Sequence, residues 1–320
     1  MNLLLLGVGR WGKNHLRVLK NLKNINLYVC DKSEEVRSYL EEISYKGPFS
    51  KNFKDFINEV EAVDIVTSAD THYELANIFL DEGKHIFIEK PICLKSSEAF
   101  LLAEKARRNG LILQVGHIFR FHPLIPYIKK LLPEIGKLLY IKAYFKGFKR
   151  PRTDTGVTMT DSIHFIDLIN FVTSEIPSKV SGFTFDNLKR GMDDISISIL
   201  IYSNFSALVE SGYFQPRTKR EITFCGERGQ IIADFRLNKI FFRKASLRKE
   251  NNSWVAEIEE EREIKGEEFE PLKRELEDFI SCIKNSKSPI CSGYDGAIAV
   301  KIVEKIYESS KKGKIVEIGG

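Results

Sequence analysis

Apolar and polar positions follow two regimes along this chain. Up to about residue 116, short apolar runs at 3–6, 25–30, 62–67, 85–88 and 111–115 alternate with stretches of helical spacing. Leu16, Leu19 and Leu22 recur at threes within 13–24, and 73–81 and 96–109 read as further helices. The last of these opens on Ser96 with Glu98 and closes on Asn109-Gly110. Strands alternating with helices predict a parallel sheet with right-handed crossovers. After Arg120 the pattern changes. A helix opens at His122-Pro123 and runs toward Leu132, and strand-like runs follow at 138–148, 179–186, 194–202, 206–214, 220–225, 230–235 and 239–243. Ile195, Ile197, Ile199 and Ile201 alternate at period two with Ser196, Ser198 and Leu200, as expected for a mostly antiparallel open sheet with one covered face. One helix interrupts at 160–172. The charged stretch 248–268 reads as a solvated hairpin or loop, and two late helices, 272–284 and 294–310, lead to a terminal strand at 314–318. The expectation is an α/β fold of two domains, 1–120 and 121–320, with the last helices free to pack back on the first.

The turn after the first run carries Gly7, Gly9 and Gly12 in the spacing G-x-G-x-x-G, with Arg10 and Trp11 inside it. Strand, tight turn and helix are followed by a second strand that ends in Asp31, 19 residues beyond Gly12. Each piece has a physical task. The glycines permit the turn, the close approach of a pyrophosphate and close helix–strand packing. The helix N-terminus offers free N–H groups to phosphate. The carboxylate accepts ribose hydroxyls and repels a 2′-phosphate, so NAD is expected ahead of NADP, with Lys32 partly offsetting that repulsion. Ligands of parallel sheets sit beyond the carboxyl ends of the strands. The turns there hold Thr67 and His72, Glu89-Lys90-Pro91, and Gly116-His117. The cofactor set is therefore Gly7, Gly9, Arg10, Trp11, Gly12, Asp31, Thr67, His72, Glu89 and Lys90.

Bulk properties narrow the class further. The chain has 320 residues, 43% hydrophobic and 29% charged, enough for two ordinary globular domains. A net charge of +5 suits an anionic small substrate and does not call for nucleic acid. No apolar run reaches the roughly 20 residues of a membrane span. The opening leucine run is too short for a signal segment, so a cytoplasmic protein is expected. Five scattered cysteines, with no C-x-x-C pair, fit neither a zinc site nor a disulfide framework, and no metal is expected.

Two residues stand out for chemistry. Lys90, at a strand's carboxyl end, has an ammonium suited to hydrogen-bond a substrate hydroxyl or the ketone oxygen formed from it; a surface lysine before a proline is the plain alternative. His164 lies in Thr160-Asp161-Ser162-Ile163-His164-Phe165-Ile166-Asp167. On a helix Thr160, His164 and Asp167 share a face, with Asp161 close to it, so His164 is a candidate general base and Asp161 a candidate helper. The alternative is a histidine satisfied at a helix–sheet interface. Lys142, Lys146, Lys149, Arg150 and Arg152 form a basic run: either a solvated sheet edge or, through Arg152 with Arg120, a grip on carboxylate or diphosphate.

Taken in order, Gly7 to Gly12, Asp31, Thr71-His72-Tyr73-Glu74-Leu75-Ala76, Glu89-Lys90-Pro91, Gly116-His117 and His164-x-x-Asp167 resemble the Gfo/Idh/MocA oxidoreductase family. So does the ending from Ser292-Gly293-Tyr294-Asp295-Gly296-Ala297 through Ser309 and Gly313. The resemblance implies a Rossmann domain and a second domain whose sheet lines the active site and often an oligomer interface. It implies NAD(P)-linked chemistry at a carbinol of a sugar or cyclitol, with Lys90 and His164 catalytic. The run Val115-Gly116-His117-Ile118-Phe119-Arg120-Phe121-His122-Pro123, continued by Arg152-x-Asp154-x-Gly156-Val157, is similar to nucleotide-sugar 3-dehydrogenases acting on UDP-N-acetylglucosamine or its uronic acid, with His122 where those have Asn. His117, Arg120, Arg152 and Thr160 are the implied substrate-side residues. One departure stands against the pattern. The family's aspartate four residues before the histidine is here Thr160, and the carboxylate comes one later, at Asp161, about 100° further round an ideal helix. Asp161 substitutes through a local bulge, His164 works without it, or the activity has changed.

The leading expectation is therefore an NAD-dependent sugar dehydrogenase, homo-oligomeric, with a small sugar or nucleotide sugar as its partner and neither nucleic acid nor membrane. The alternatives are a non-catalytic NAD-bound sugar-binding or sensing protein and an inositol-type dehydrogenase.

Overall fold

Four leucines in a row have nowhere to go but a strand covered on both faces: Leu3, Leu4 and Leu5 are fully buried and Leu6 nearly so. They form β1 (Asn2–Leu6) at the centre of a six-stranded sheet in the computed structural model, which describes residues 1–148 and 151–319. The other strands are β2 (Asn26–Cys30), β3 (Phe49–Ser50), β4 (Ala62–Ile65), β5 (His85–Glu89) and β6 (Leu113–Gly116). Their order is β3-β2-β1-β4-β5-β6 and every pairing is parallel. Helices α1 (Gly12–Leu19), α2 (Glu34–Glu42), α3 (His72–Asp81) and α4 (Ser96–Arg108) make the crossovers. This is the expected doubly wound Rossmann sheet. The edge strand β3 and helix α2 add to the predicted elements.

A second sheet has nine strands in the order β14-β13-β12-β11-β7-β10-β9-β8-β15, antiparallel except for the β10–β7 pair. After α5 (Ile125–Leu131) come β7 (Leu138–Lys146), α6 (Ile163–Thr173), β8 (Lys179–Phe185), β9 (Ile195–Ile201), β10 (Ser206–Gly212), β11 (Lys219–Gly226) and β12 (Gly229–Asp234). A long hairpin, β13 (Lys239–Glu250) and β14 (Ser253–Lys265), follows. Its turn is Asn251-Asn252, both at positive φ (45° and 66°), as a two-residue hairpin turn requires. The stretch 248–268, expected as a solvated hairpin or loop, is a hairpin: the end of β13, the turn and the whole of β14. The chain closes with α7 (Pro271–Asn285), α8 (Gly293–Lys312) and β15 (Val316–Glu317).

The chain divides into two units: Met1–Ile118 with Glu270–Val300, and Phe119–Phe269 with Lys301–Gly320. In the first unit α7 closes the core beside α1. Leu272, Leu276 and Phe279 join Leu3, Leu5, Leu16 and Val29, and the Phe279 ring meets Phe87 edge-on at 5.8 Å. Burial of this kind stabilises by about 25 cal/mol per Å² of apolar surface. In the second unit α5 packs against α6 and β12, while β8 and β9 leave Phe183, Phe185, Ile197 and Ile199 exposed. No helix among the described residues is long and apolar enough to cross a membrane.

Candidate functional site

The carboxyl ends of the parallel strands deliver the candidate cofactor residues to one edge of the first unit. Gly7 sits at φ +97°, where a side chain would be strained, and its N–H donates to the Cys30 carbonyl at 2.9 Å. A Cβ at Gly12 would stand 2.1 Å from the Gly7 carbonyl oxygen, so the start of α1 can lie against the turn only as glycine. A Cβ at Gly9 would meet nothing within 4 Å: the space over the turn is open, as a pyrophosphate requires. Asp31 follows β2. Its carboxylate accepts from the Val8 N–H at 2.6 Å and the Ser33 N–H at 2.8 Å, which fixes it beside the turn with further lone pairs for ribose hydroxyls. The glycine cradle and this acid fit a dinucleotide. Arg10 is exposed beside them.

Four residues expected at the cofactor, His72, Thr67, Glu89 and Trp11, have internal partners. The His72 ring spans two backbone carbonyls, Pro91 at 2.8 Å and Thr67 at 3.2 Å, and so ties the turn after β4 to the one after β5. Thr67 Oγ1 shares a 2.7 Å hydrogen bond with Thr71 Oγ1. Glu89 does not present its carboxylate as a free surface group. Oε1 accepts from Trp11 Nε1 at 2.7 Å and faces His15 Nε2 at 3.2 Å, and Oε2 accepts from the Lys90 N–H at 3.1 Å. A Cβ at Gly116 would come within 2.9 Å of that carboxylate, which explains the glycine at the end of β6. Next to it, buried His117 donates its backbone N–H to the Val115 carbonyl at 2.8 Å.

His15 is the residue the sequence reading passed over. It lies on the buried face of α1 with no exposure at all, Nδ1 2.8 Å from Asp64 Oδ2 and Nε2 toward Glu89. Burial opposes its charge, but Asp64 and then Glu89 outweigh burial and lift the imidazole to about 10. Burial raises the Asp64 carboxyl; at Glu89 burial is overcome by His15, Lys90 and Trp11, and its carboxyl is lowered. A polar residue in the helix face with Leu16 and Leu19, and an acid inside the apolar run 62–67, were the available signals.

In the second unit a five-residue π-turn, Thr158–Ser162, precedes α6, so the helix expected from residue 160 starts at Ile163. Such a bulge re-aims side chains and is common at functional sites. The turn packs on β9 and β10 and is held by Asp193: its carbonyl accepts from the Val157 N–H, and Oδ2 accepts from the Thr158 N–H at 2.8 Å and hydroxyl at 2.6 Å. Thr160 donates to the Gly156 carbonyl at 2.9 Å and meets the Tyr213 hydroxyl at 3.2 Å. Buried Asp161 acts electrostatically on Tyr213 and on Arg220. His164 is stacked on Phe145 (centroids 5.3 Å apart, 18°) and tilted against Phe119 (5.1 Å). The Phe145 ring also carries the Arg220 guanidinium, 3.6 Å from the ring centroid, a contact no sequence motif marked.

The two arginines expected to grip an anion have carboxylate partners of their own unit. Arg120 Nε and Nη2 donate to Asp167 at 2.9 and 2.6 Å, both side chains buried, which also removes Asp167 from the role of a free acid on the His164 face. Arg152 Nε and Nη2 donate to Asp154 at 2.7 and 2.5 Å. Of the basic run, Lys146 pairs with Glu210 at 2.6 Å, Lys142 is exposed, and Lys149 and Arg150 lie outside the described residues.

Comparisons with known proteins agree with this architecture. Residues 1–117 match the model of an oxidoreductase family with an NAD-binding Rossmann fold (GFO_IDH_MocA), and residues 129–318 match that family's C-terminal alpha/beta domain. The chain is 30% identical over 176 residues to a UDP-N-acetylglucosamine 3-dehydrogenase of Acidithiobacillus ferrooxidans, a match spanning 55% of each chain. It is 26% identical over 345 aligned positions to a scyllo-inositol 2-dehydrogenase (NAD(+)) of Bacillus subtilis, spanning 98% of this chain and 95% of that one. The solved structure of the Acidithiobacillus ferrooxidans enzyme superposes with a TM-score of 0.84 at 23% identity, covering 98% of both chains, a likeness of fold.

Two outcomes are expected. His15 is raised from its ordinary 6.5 to about 10, so its stabilising contribution is complete below about 6.5 and is lost as pH rises toward 10. The melting temperature of the wild type should fall over that window. His15→Gln should lower stability at pH 7 by about 3 kcal/mol or more, as when a buried pair loses one partner, and should flatten the pH dependence. Equal slopes for the two proteins would reject the charged cluster. Separately, NADH should bind more tightly than NADPH in a fluorescence titration, and Asp31→Ala should narrow the gap; an equal or tighter NADPH affinity in the wild type would overturn the assignment of Asp31.

Proposed function

This chain belongs to the Gfo/Idh/MocA oxidoreductase family, with an NAD-binding Rossmann domain, and from that premise we propose that it transfers a hydride between NAD and a carbinol carbon of a sugar. The observation that carries the reading is the edge where β1, β2, β4 and β5 end: the open glycine turn, Asp31, Thr67 and Lys90 follow those four strands directly. Bound NAD supplies the hydride acceptor or donor. Gly7, Gly9, Gly12 and Asp31 hold it; Glu89 and His72 hold the turns that hold it. Lys90 hydrogen-bonds the reacting oxygen and steadies charge developing there. His164 takes the carbinol proton, its ring packed against Phe119 and Phe145, and Asp161, within the π-turn, is its candidate helper. The likeness to a UDP-N-acetylglucosamine 3-dehydrogenase supports a nucleotide sugar as substrate, oxidised at C3. Exposed Phe183, Phe185, Ile197 and Ile199 would supply the surface of a homo-oligomer.

One observation favours a second reading, an NAD-bound sugar sensor: the neutral Thr160 hydroxyl, bonded to Gly156, stands where the family's aspartate is expected. NAD(H) turnover across UDP-sugars, free sugars and inositols separates the readings, because a sensor binds without turnover.

Lys90→Ala should leave NAD binding nearly intact and lower turnover about a hundredfold; unchanged turnover would remove Lys90 from the chemistry. If Asp161 serves His164, Asp161→Asn should be the damaging change and Thr160→Asp should do little or harm. If it does not, Thr160→Asp should raise turnover. Activity indifferent to both leaves no catalytic carboxylate on this helix.

A further inference from the structure

Two arginines of the second unit close a guanidinium fork on a carboxylate, and Arg190 leaves the same edge open. Arg120 and Arg152 each turn the Nε–Nη2 edge of the guanidinium on a carboxylate, the side-on bidentate geometry. Arg190 donates from Nη1 to the Arg152 carbonyl at 2.6 Å. Its Nε and Nη2 are buried and meet no acceptor among the described residues. Two charged donors withdrawn from water with nothing to receive them are costly, and such a gap calls for a partner.

The loop carrying Arg190 is built to hold it. Asp186 accepts from the Arg190 N–H at 2.9 Å and the Gly191 N–H at 2.7 Å. Asp194 accepts from the Leu188 N–H at 2.7 Å and the Asn187 amide at 2.9 Å. Lys189 and Gly191 flank the arginine at positive φ, 54° and 72°. Three residues on, Asp193 clamps the π-turn and accepts from the Tyr307 hydroxyl at 2.8 Å. The loop is therefore tied to the turn that carries Thr160 and Asp161. The Tyr213 hydroxyl, which meets Thr160, lies within the electrostatic reach of both Asp161 and Arg190.

We propose that the Nε–Nη2 edge of Arg190 is an oxyanion site that takes two oxygens of a carboxylate or phosphate carried by the ligand. It deepens the dehydrogenase reading and rests on it for the ligand's being a sugar derivative. It moves the anion grip from Arg152, whose fork Asp154 fills, to the arginine that the Arg152 carbonyl holds in place. A uronate carboxylate and a nucleotide diphosphate present the same pair of oxygens, so both sources are tested.

Calorimetric titration of the NAD-loaded protein with UDP and, separately, with glucuronate reads the site without turnover. Arg190→Gln should weaken one of the two anions by about ten- to a hundredfold, the scale of lost hydrogen bonds to a charged group, with NAD affinity unchanged. Loss confined to UDP assigns phosphate; loss confined to glucuronate assigns carboxylate. Arg190→Lys keeps the charge without the fork and should lose most of the same affinity. A lysine variant that binds like the wild type overturns the proposal, even where the glutamine variant does not fold. So does a wild type that binds neither anion. If sugars are oxidised while anion binding ignores Arg190, this site fails and the dehydrogenase reading stands. If anion binding follows Arg190 while no carbinol is oxidised, the reverse holds.

Discussion

A buried histidine held between two carboxyl groups, its imidazole pushed up to about 10, is the constraint on which the first unit depends. Isolated charges cannot be buried cheaply, and their mutual attraction offsets desolvation only with close geometry and further hydrogen bonds. His15 reaches Asp64 with one ring nitrogen and Glu89 with the other, and Trp11 adds a further donor to Glu89. The four residues come from the nucleotide turn, α1, β4 and β5. The cluster therefore fixes the turn against the strand whose next residue is Lys90. Asp64 Oδ1 is buried and meets no acceptor or donor among the described residues, so this carboxylate is held by His15 alone. Three glycines make the arrangement sterically possible: Gly7 and Gly12 let α1 meet the turn, and Gly116 leaves room for the Glu89 carboxylate.

Legibility in the sequence followed burial. The strands β1, β4, β5 and β6 are almost wholly buried and read as apolar runs, interrupted by Asp64 in β4 and Gln114 in β6. Edge elements did not: β3 is two residues long and half-buried, and α2 buries only Val36 and Leu40. The β13–β14 hairpin read only as a charged hairpin or loop, because most of β14 is exposed and carries charged residues in place of an apolar alternation. Its ladder shows as cross-strand pairs such as Lys239–Glu263 and Arg243–Glu261. Helix phase was the weakest inference. A uniform 3.6-residue helix from 160 put Thr160, His164 and Asp167 together, whereas the π-turn shifts the phase of Thr160 against His164, and Asp167, within α6, is taken by Arg120.

The candidate site was legible where local geometry alone dictates residue type. Gly7, Gly12 and Asp31 are set by the turn itself, and the glycine spacing names them. Glu89 and His72 sit where the sequence placed them, at strand ends and turns, but their side chains serve the scaffold. The distinction between touching a cofactor and holding the loop that touches it is a matter of side-chain direction, which spacing does not carry. His15 and Asp64 were visible only as polar letters in apolar segments. A buried polar residue demands a partner, and pairing such letters across elements is the inference the sequence permitted.

The same logic sorts the arginines of the second unit. A guanidinium whose fork is filled by a neighbour of its own unit is scaffold: the bidentate pair rigidifies the segment and leaves its electrostatic field largely cancelled. Arg120 anchors α6 through Asp167, and Arg152 closes on Asp154 two residues away, so neither edge is presented outward. Arg220 differs, with its guanidinium laid on Phe145 and Nη1 donating to the Lys146 and Lys219 carbonyls. Arg220 and His164 thus both pack on the Phe145 ring, and Asp161 acts electrostatically on the Arg220 cation. Two forks of the second unit are thus filled by carboxylates of their own fold, and the open Nε–Nη2 edge of Arg190 carries more information than the basic run in the sequence.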